Sequence, residues 1–341
     1  VPGLARLAHV HLLFAGWICL TILGAMTQFV PVWSGVTLHS RRLANVQLGL
    51  VAAGIAGIVG SFLLGELGWL VPFAGLALVG FWIFAYNIVR TLGAVERYDV
   101  TERHFLGALG FVLVLTVLGV LLVVDFTVPT FSRVGVGRAG VVGAHATLAV
   151  FGAVLTTVYG ALYQLGTMFT QTELHGIDHR LRAVEEVAHP TGVVVFAAGR
   201  LVGNAPVARV GGLLLLLAAS AFCLVLARKL SEMQVERTPM HTRYTMAVGA
   251  LAVWIAVTAP ARMADPLTRG QLLAGANAGP LPLLGVTGLV AVRPLHHIAP
   301  LVIWVNRYSD LPGSADVPMI YDLHDGRPPA LPRVGPRGWS D

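Results

Sequence analysis

Long apolar runs alternate with short polar breaks along this chain. The runs fall at about 6–32, 43–64, 67–89, 104–126, 139–168, 187–204, 209–228, 242–260 and 279–305. Each is long enough to cross a hydrocarbon layer as a helix, so the pattern predicts nine membrane-spanning helices. Inside a bilayer every backbone polar group must be satisfied by its own segment or by a closed barrel. Continuous apolar runs of this length therefore predict an all-α, polytopic membrane helical bundle. The breaks are short, so no soluble domain is inserted. The stretch from Ser309 to Asp341 is rich in Pro, Gly and Asp and reads as an irregular extramembrane tail.

The runs repeat. A shift of 136 residues lays the first on the fifth: His9 falls on His145, Gly16 on Gly152, Thr21 on Thr157 and Gln28 on Gln164. The same shift carries Gly24-Ala25 to Gly160-Ala161 and Leu38-His39 to Leu174-His175. A shift of 137 puts His104 on His241 at the starts of the fourth and eighth runs. A weaker third copy begins with the ninth run, where Gly285 matches Gly152 and Pro300 falls where Pro31 would, but Ala278 replaces the histidine. A fixed period of this kind marks a repeated structural unit. The expected organisation is a four-helix repeat over 1–138, a second over 139–270, a ninth helix over 271–308 and a cytoplasmic tail over 309–341.

Composition agrees with membrane residence. The 341 residues are 56% hydrophobic and 12% charged, against about 25% charged in soluble domains. The 23 basic residues, all arginine except Lys229, exceed the 17 acidic ones and give a net formal charge of +6. No basic stripe is interleaved with aromatics, so nucleic-acid binding is not expected. Cys19 and Cys223 sit inside apolar runs and read as packed side chains. No signal-peptide pattern opens the chain, and its first residue is Val. Of the 23 basic residues, fifteen fall on one side of the expected membrane and seven on the other. The positive-inside rule then puts the N-terminus outside and the C-terminus in the cytoplasm, in the cell membrane of a prokaryote.

Histidine near hydrocarbon is costly unless something repays it, and imidazole is the commonest protein metal ligand. The first run opens with His9-Val10-His11. Residues two apart on an α-helix lie about 200° apart, so His9 and His11 cannot serve one metal from one face. They serve two centres, or they are interfacial histidines touching headgroups and water. His104 and His241 read first as interfacial anchors and second as ligands. His296 and His297 lie late in the ninth run, and His297 replaces a repeat glutamine. Arg293 lies within that run and needs an anionic partner, such as a haem propionate, or a carbonyl freed by Pro294. His39, His175 and His179 read as loop residues. Glu185 and Glu186 open the sixth run, where acidic residues suit the helix dipole. Gly16, Gly24, Gly152 and Gly160 suit either close helix packing or the edge of a flat macrocycle.

These residues resemble subunit I of the haem-copper oxidases. The first run is similar to that family's tenth helix, which opens with His-x-His; Gly24, Pro31 and Ser34-Gly35 follow His11 at the family's spacings. The fifth run, with His145 and Gly160-Ala161, is similar to the family's second helix. The resemblance implies that His11 and His145 hold a six-coordinate haem and His9 a five-coordinate one, hence one or two haems of b type. It departs from the family in having nine helices where the family has twelve. It lacks a copper site: His189-Pro190 is not followed by the family's Glu and Tyr, and His296-His297 stands at the wrong depth. The function implied is electron transfer or binding of a diatomic gas, NO or O2. A redox protein or quinol donor and other membrane subunits would be its partners. Two alternatives stay open: a catalytic NO or O2 reductase completed by a partner subunit, and a haem-free scaffold or transporter.

Overall fold

A computed structural model describes residues 2–268. Helices α1 (Gly3–Trp33), α2 (Arg41–Leu64), α3 (Leu70–Leu92) and α4 (Val100–Val124) are followed by α5 (Arg138–Thr170), α6 (Ile177–Leu201), α7 (Ala205–Ser231) and α8 (Pro239–Ala264). No strand occurs among the described residues. All but α6 are long and apolar enough to cross a membrane, which makes seven. The ninth run, the tail, Arg293, His296 and His297 lie outside the described residues.

The helix limits follow local chemistry. Ser40 accepts the Leu43 N–H and starts α2, and Gly65, at φ 76°, ends it. The Asp99 N–H donates to Glu102 Oε2 at the start of α4, the reach-back of a capping box. Asn204 accepts the Val207 N–H at the start of α7. The sequence places the sixth span at 187–204, but α6 begins at Ile177. The charged residues before 187 extend the helix because several are paired inside the protein, Asp178 and Glu185 being buried.

Two helices carry wide, π-wound segments. In α1 the segment is Leu12–Cys19, directly after His11; in α5 it is Leu148–Leu155, three residues after His145. Such segments are rare and concentrate at functional sites. Each holds a glycine, Gly16 or Gly152.

Successive helices run antiparallel and meet through small residues. A Cβ on Gly54 of α2 would stand 2.6 Å from the Ala77 nitrogen of α3. One on Gly211 of α7 would stand 2.2 Å from the Phe196 nitrogen of α6. Gly152 and Gly160 of α5 do the same against Phe111 and the His104 Cβ of α4, both at 2.7 Å. These two glycines therefore serve helix packing. Nothing lies within 4 Å of a Cβ on Gly24.

Helix α5 is central: 78% of its apolar window is buried, against 17% for α1. One core joins Leu23 and Met26 of α1, Val51 of α2, Phe84 and Ile88 of α3 and Phe105 of α4. On the other side of α5, Tyr159 stacks on Phe222 of α7 with ring centroids 4.1 Å apart. Exposed Leu63, Leu64, Val187, Leu213 and Leu217 give the bundle an apolar exterior, as a lipid-facing surface requires.

Candidate functional site

The structure separates the two histidines of the opening motif. His9 is exposed, whereas His11 is half-buried with its ring centroid 5.5 Å from that of Phe62 on α2. Its Nδ1 donates to the Leu7 carbonyl at 2.8 Å. His145 on α5 is also half-buried, and its Nδ1 donates to the Leu115 carbonyl of α4 at 3.1 Å. A carbonyl only accepts, so each ring must carry its proton on Nδ1. In the neutral ring Nε2 then holds a lone pair, the form in which imidazole binds a metal. Helix α4 leaves room beside His145 with Gly119, whose added Cβ would stand 3.2 Å from the His145 Cε1.

A second polar group lies deeper, between α4, α5 and α6. His104 Nδ1 donates to the Val100 carbonyl at 2.7 Å, and its Nε2 faces both Glu185 oxygens at 3.1 Å. The Tyr163 hydroxyl donates to Glu185 Oε2 at 3.1 Å. The Glu185 side chain is fully buried and that of His104 is 5% exposed. One turn further along α6, His189 Nε2 donates to the Phe151 carbonyl and lies 3.0 Å from Thr156 Oγ1. Its Nδ1 and the Tyr159 hydroxyl are buried without a hydrogen-bond partner among the described residues. Both nitrogens of His104 are thus engaged, and neither is open to a metal. Glu185 is not a solvated helix opener either. It faces inward, whereas Glu186, next to it, pairs with Arg103 and Arg182. The i, i+4 spacing of Glu185 and His189 on a helix face was the available signal.

His241 lies buried at the start of α8, where Nδ1 accepts the Thr238 N–H and Nε2 donates to the Phe169 carbonyl. Its role is to join α8 to the end of α5. His175 pairs with Glu232 at 2.6 Å near the surface. That contact, with Arg228, holds the Glu232 carboxyl below its usual range. Two arginines that the sequence places at loop edges are also buried. Arg200 stacks over Phe196 and bonds the Thr268 carbonyl, and Arg262 lies over Phe151, Phe196 and Trp254. Among the described residues, no group of three or more His, Cys, Asp or Glu side chains could hold a metal ion. An iron held between two axial imidazoles in a porphyrin needs only two protein ligands.

Comparison with known proteins returns no matching family model, no matching curated protein and no matching solved structure.

Proposed function

We propose that this protein is a multi-pass membrane cytochrome that binds a haem of b type between His11 and His145. The observation that carries this reading is the pair of Nδ1-protonated rings, one on α1 and one on α5, each presenting a bare Nε2. The donor chemistry fits bis-imidazole ligation of iron. His11 and His145 would hold the iron; Leu7 and Leu115 would fix the ring tautomers and raise ligand basicity. The haem, when bound, supplies one-electron exchange. Exposed His9 takes no part in this pair, so the reading is one haem, and no copper. A redox protein or a quinol is the electron donor expected for such a site.

The four-helix repeat belongs to the same proposal. The two π segments begin 136 residues apart. Thr21 donates to the Trp17 carbonyl and Thr157 to the Ala153 carbonyl, the same bond at the same shift. The antiparallel packing of α6 on α7 supports reading α6 as a further crossing, and the run at 279–305 makes nine. The arginine distribution supports an N-terminus outside and a cytoplasmic C-terminus in a prokaryotic cell membrane.

The test is a reduced-minus-oxidised absorption spectrum of purified protein after haem supplementation. A low-spin signal is expected, lost in His145→Ala and in His11→Ala and kept in His9→Ala. No Soret or α band in the wild type would overturn the reading and favour a haem-free scaffold.

The exposure of His9 favours a second reading, in which the chain is part of a gas reductase completed by a partner membrane subunit. There His9 would face that partner. Metal analysis finding only iron, at haem level, in the intact assembly would exclude this reading.

A further inference from the structure

Within the membrane-spanning part, ionisable side chains are rare and usually mark ion or proton pathways. The interface of α4, α5 and α6 holds a ladder of them. Its outermost rung is Glu186, whose side chain is 20% exposed and bound to Arg103 at 2.6 Å. The next rung is Glu185 with His104 and Tyr163, all deeply buried. The third is His189 with Tyr159, ring centroids 5.0 Å apart. Glu185 and His189 are one turn apart on α6, and Tyr163 and Tyr159 one turn apart on α5. Both helices therefore advance the ladder by about 5.4 Å at the same level.

We propose that Glu185, His104 and Tyr163 form a proton-binding site inside the membrane, filled from the end of the bundle that holds Glu186 and passing protons inward to His189.

The hydrogen-bond pattern requires a shared proton. His104 Nδ1 donates to a carbonyl, so its own proton is fixed there. Nε2 then faces a carboxyl group, and a single proton lies between them. Either the imidazolium donates to the carboxylate, or the carboxylic acid donates to the imidazole; the net charge is zero in both. Removing that proton would set a nitrogen lone pair against a carboxylate in a dry site, and adding a second would leave a buried positive charge. One proton is therefore the resting state of the pair; acid adds a second, which is passed on, and alkali removes the first. The acceptor is the buried Nδ1 of His189, whose Nε2 proton is held by the Phe151 carbonyl. When Nδ1 gains a proton, the ring becomes an imidazolium that keeps its Nε2 proton on the Phe151 carbonyl, and the Nδ1 proton returns to the pair when the pH rises.

Among the described residues, no arginine or lysine is bonded to the pair. Arg103 and Arg182 are spent on Glu186, and Glu102 bonds Ser34 and the Asp99 N–H. From α5 the ladder meets Tyr159 and Tyr163, and from α7 it meets Phe222, which packs on both tyrosine rings. None of these supplies a permanent positive charge.

The inference does not depend on the haem, so its test uses the full chain purified without added haem. Infrared difference spectra are taken as a membrane film is stepped between acid and alkaline buffer. Carboxyl and imidazole bands that vanish in Glu185→Gln but persist in Glu66→Gln, in the exposed loop between α2 and α3, are expected. In addition, nitrogen NMR of labelled wild-type histidines should show the His104 and His189 rings changing protonation, and the His189 change should be lost or slowed at least tenfold in Glu185→Gln. Should Glu185→Gln fail to fold, the wild-type histidine signals decide alone. Spectra identical in wild type and Glu185→Gln, or a His104 ring unchanged from acid to alkaline pH, would overturn the proposal and leave a structural clamp.

Discussion

His9 and His11 are two residues apart, yet one ring lies on the surface and the other against Phe62. Helix phase alone demanded that they differ, but not which would turn inward. At this scale the cleanest pH effect belongs to Asp125, outside the spans. It accepts the Phe131 and Thr130 N–H groups and bonds Arg138 at 2.6 Å. These contacts, the Phe131 N–H first, hold its carboxyl below the usual range. A depressed carboxylate contributes stability that is complete above the unfolded value, about 3.9, and is lost as pH falls through the folded value. Thermal unfolding in detergent should therefore show wild type losing its advantage over Asp125→Asn only below about pH 4. An unchanging gap down to acid pH would count against this role for the charge.

The glycines carry the element-scale argument. Gly211 puts the backbone of α7 against that of α6, and a Cβ there meets the Phe196 backbone, which cannot swing away as a side chain can. Gly211→Ala should destabilise by about 1–3 kcal/mol or more, the usual cost of overpacking. Gly60→Ala on α2, where nothing lies within 4 Å, should instead stabilise by about 0.5–1 kcal/mol, since alanine holds a helix better. Denaturation midpoints of the two variants should move in opposite directions. The sequence marks both residues only as small. The difference lies in which face of the helix touches a neighbour. Similarly, the apolar pattern starts the sixth run at 187 because Glu185, Glu186 and Arg182 look like a solvated edge, whereas the helix begins at Ile177. Packing on α4 and α5 shelters them, so the helix continues through them.

At the scale of the molecule, the proposed topology makes opposite ends of the bundle accessible from opposite sides. Glu66, between α2 and α3, and Glu96, between α3 and α4, are both exposed. In intact cells a membrane-impermeant maleimide should label Glu66→Cys, while Glu96→Cys should react only after the cells are opened. The native thiols, half-buried Cys19 and buried Cys223, should contribute little background. Labelling of Glu96→Cys alone in intact cells would invert the orientation.

Along the chain, apolar runs and their spacing were enough to determine a helical membrane bundle, the limits of seven crossings to within a few residues, and the histidines worth testing. Those features depend on transfer of each segment from water to hydrocarbon, a property of local composition. Only the tertiary structure decided that His11 and His145 offer bare Nε2 atoms, that His104 does not, and that Glu185 is a buried partner. For His145, His104 and Glu185 these outcomes depend on hydrogen bonds between residues that lie 30 to 81 positions apart, while for His11 they depend on which side of the helix packs against Phe62. No periodicity within a single run encodes either.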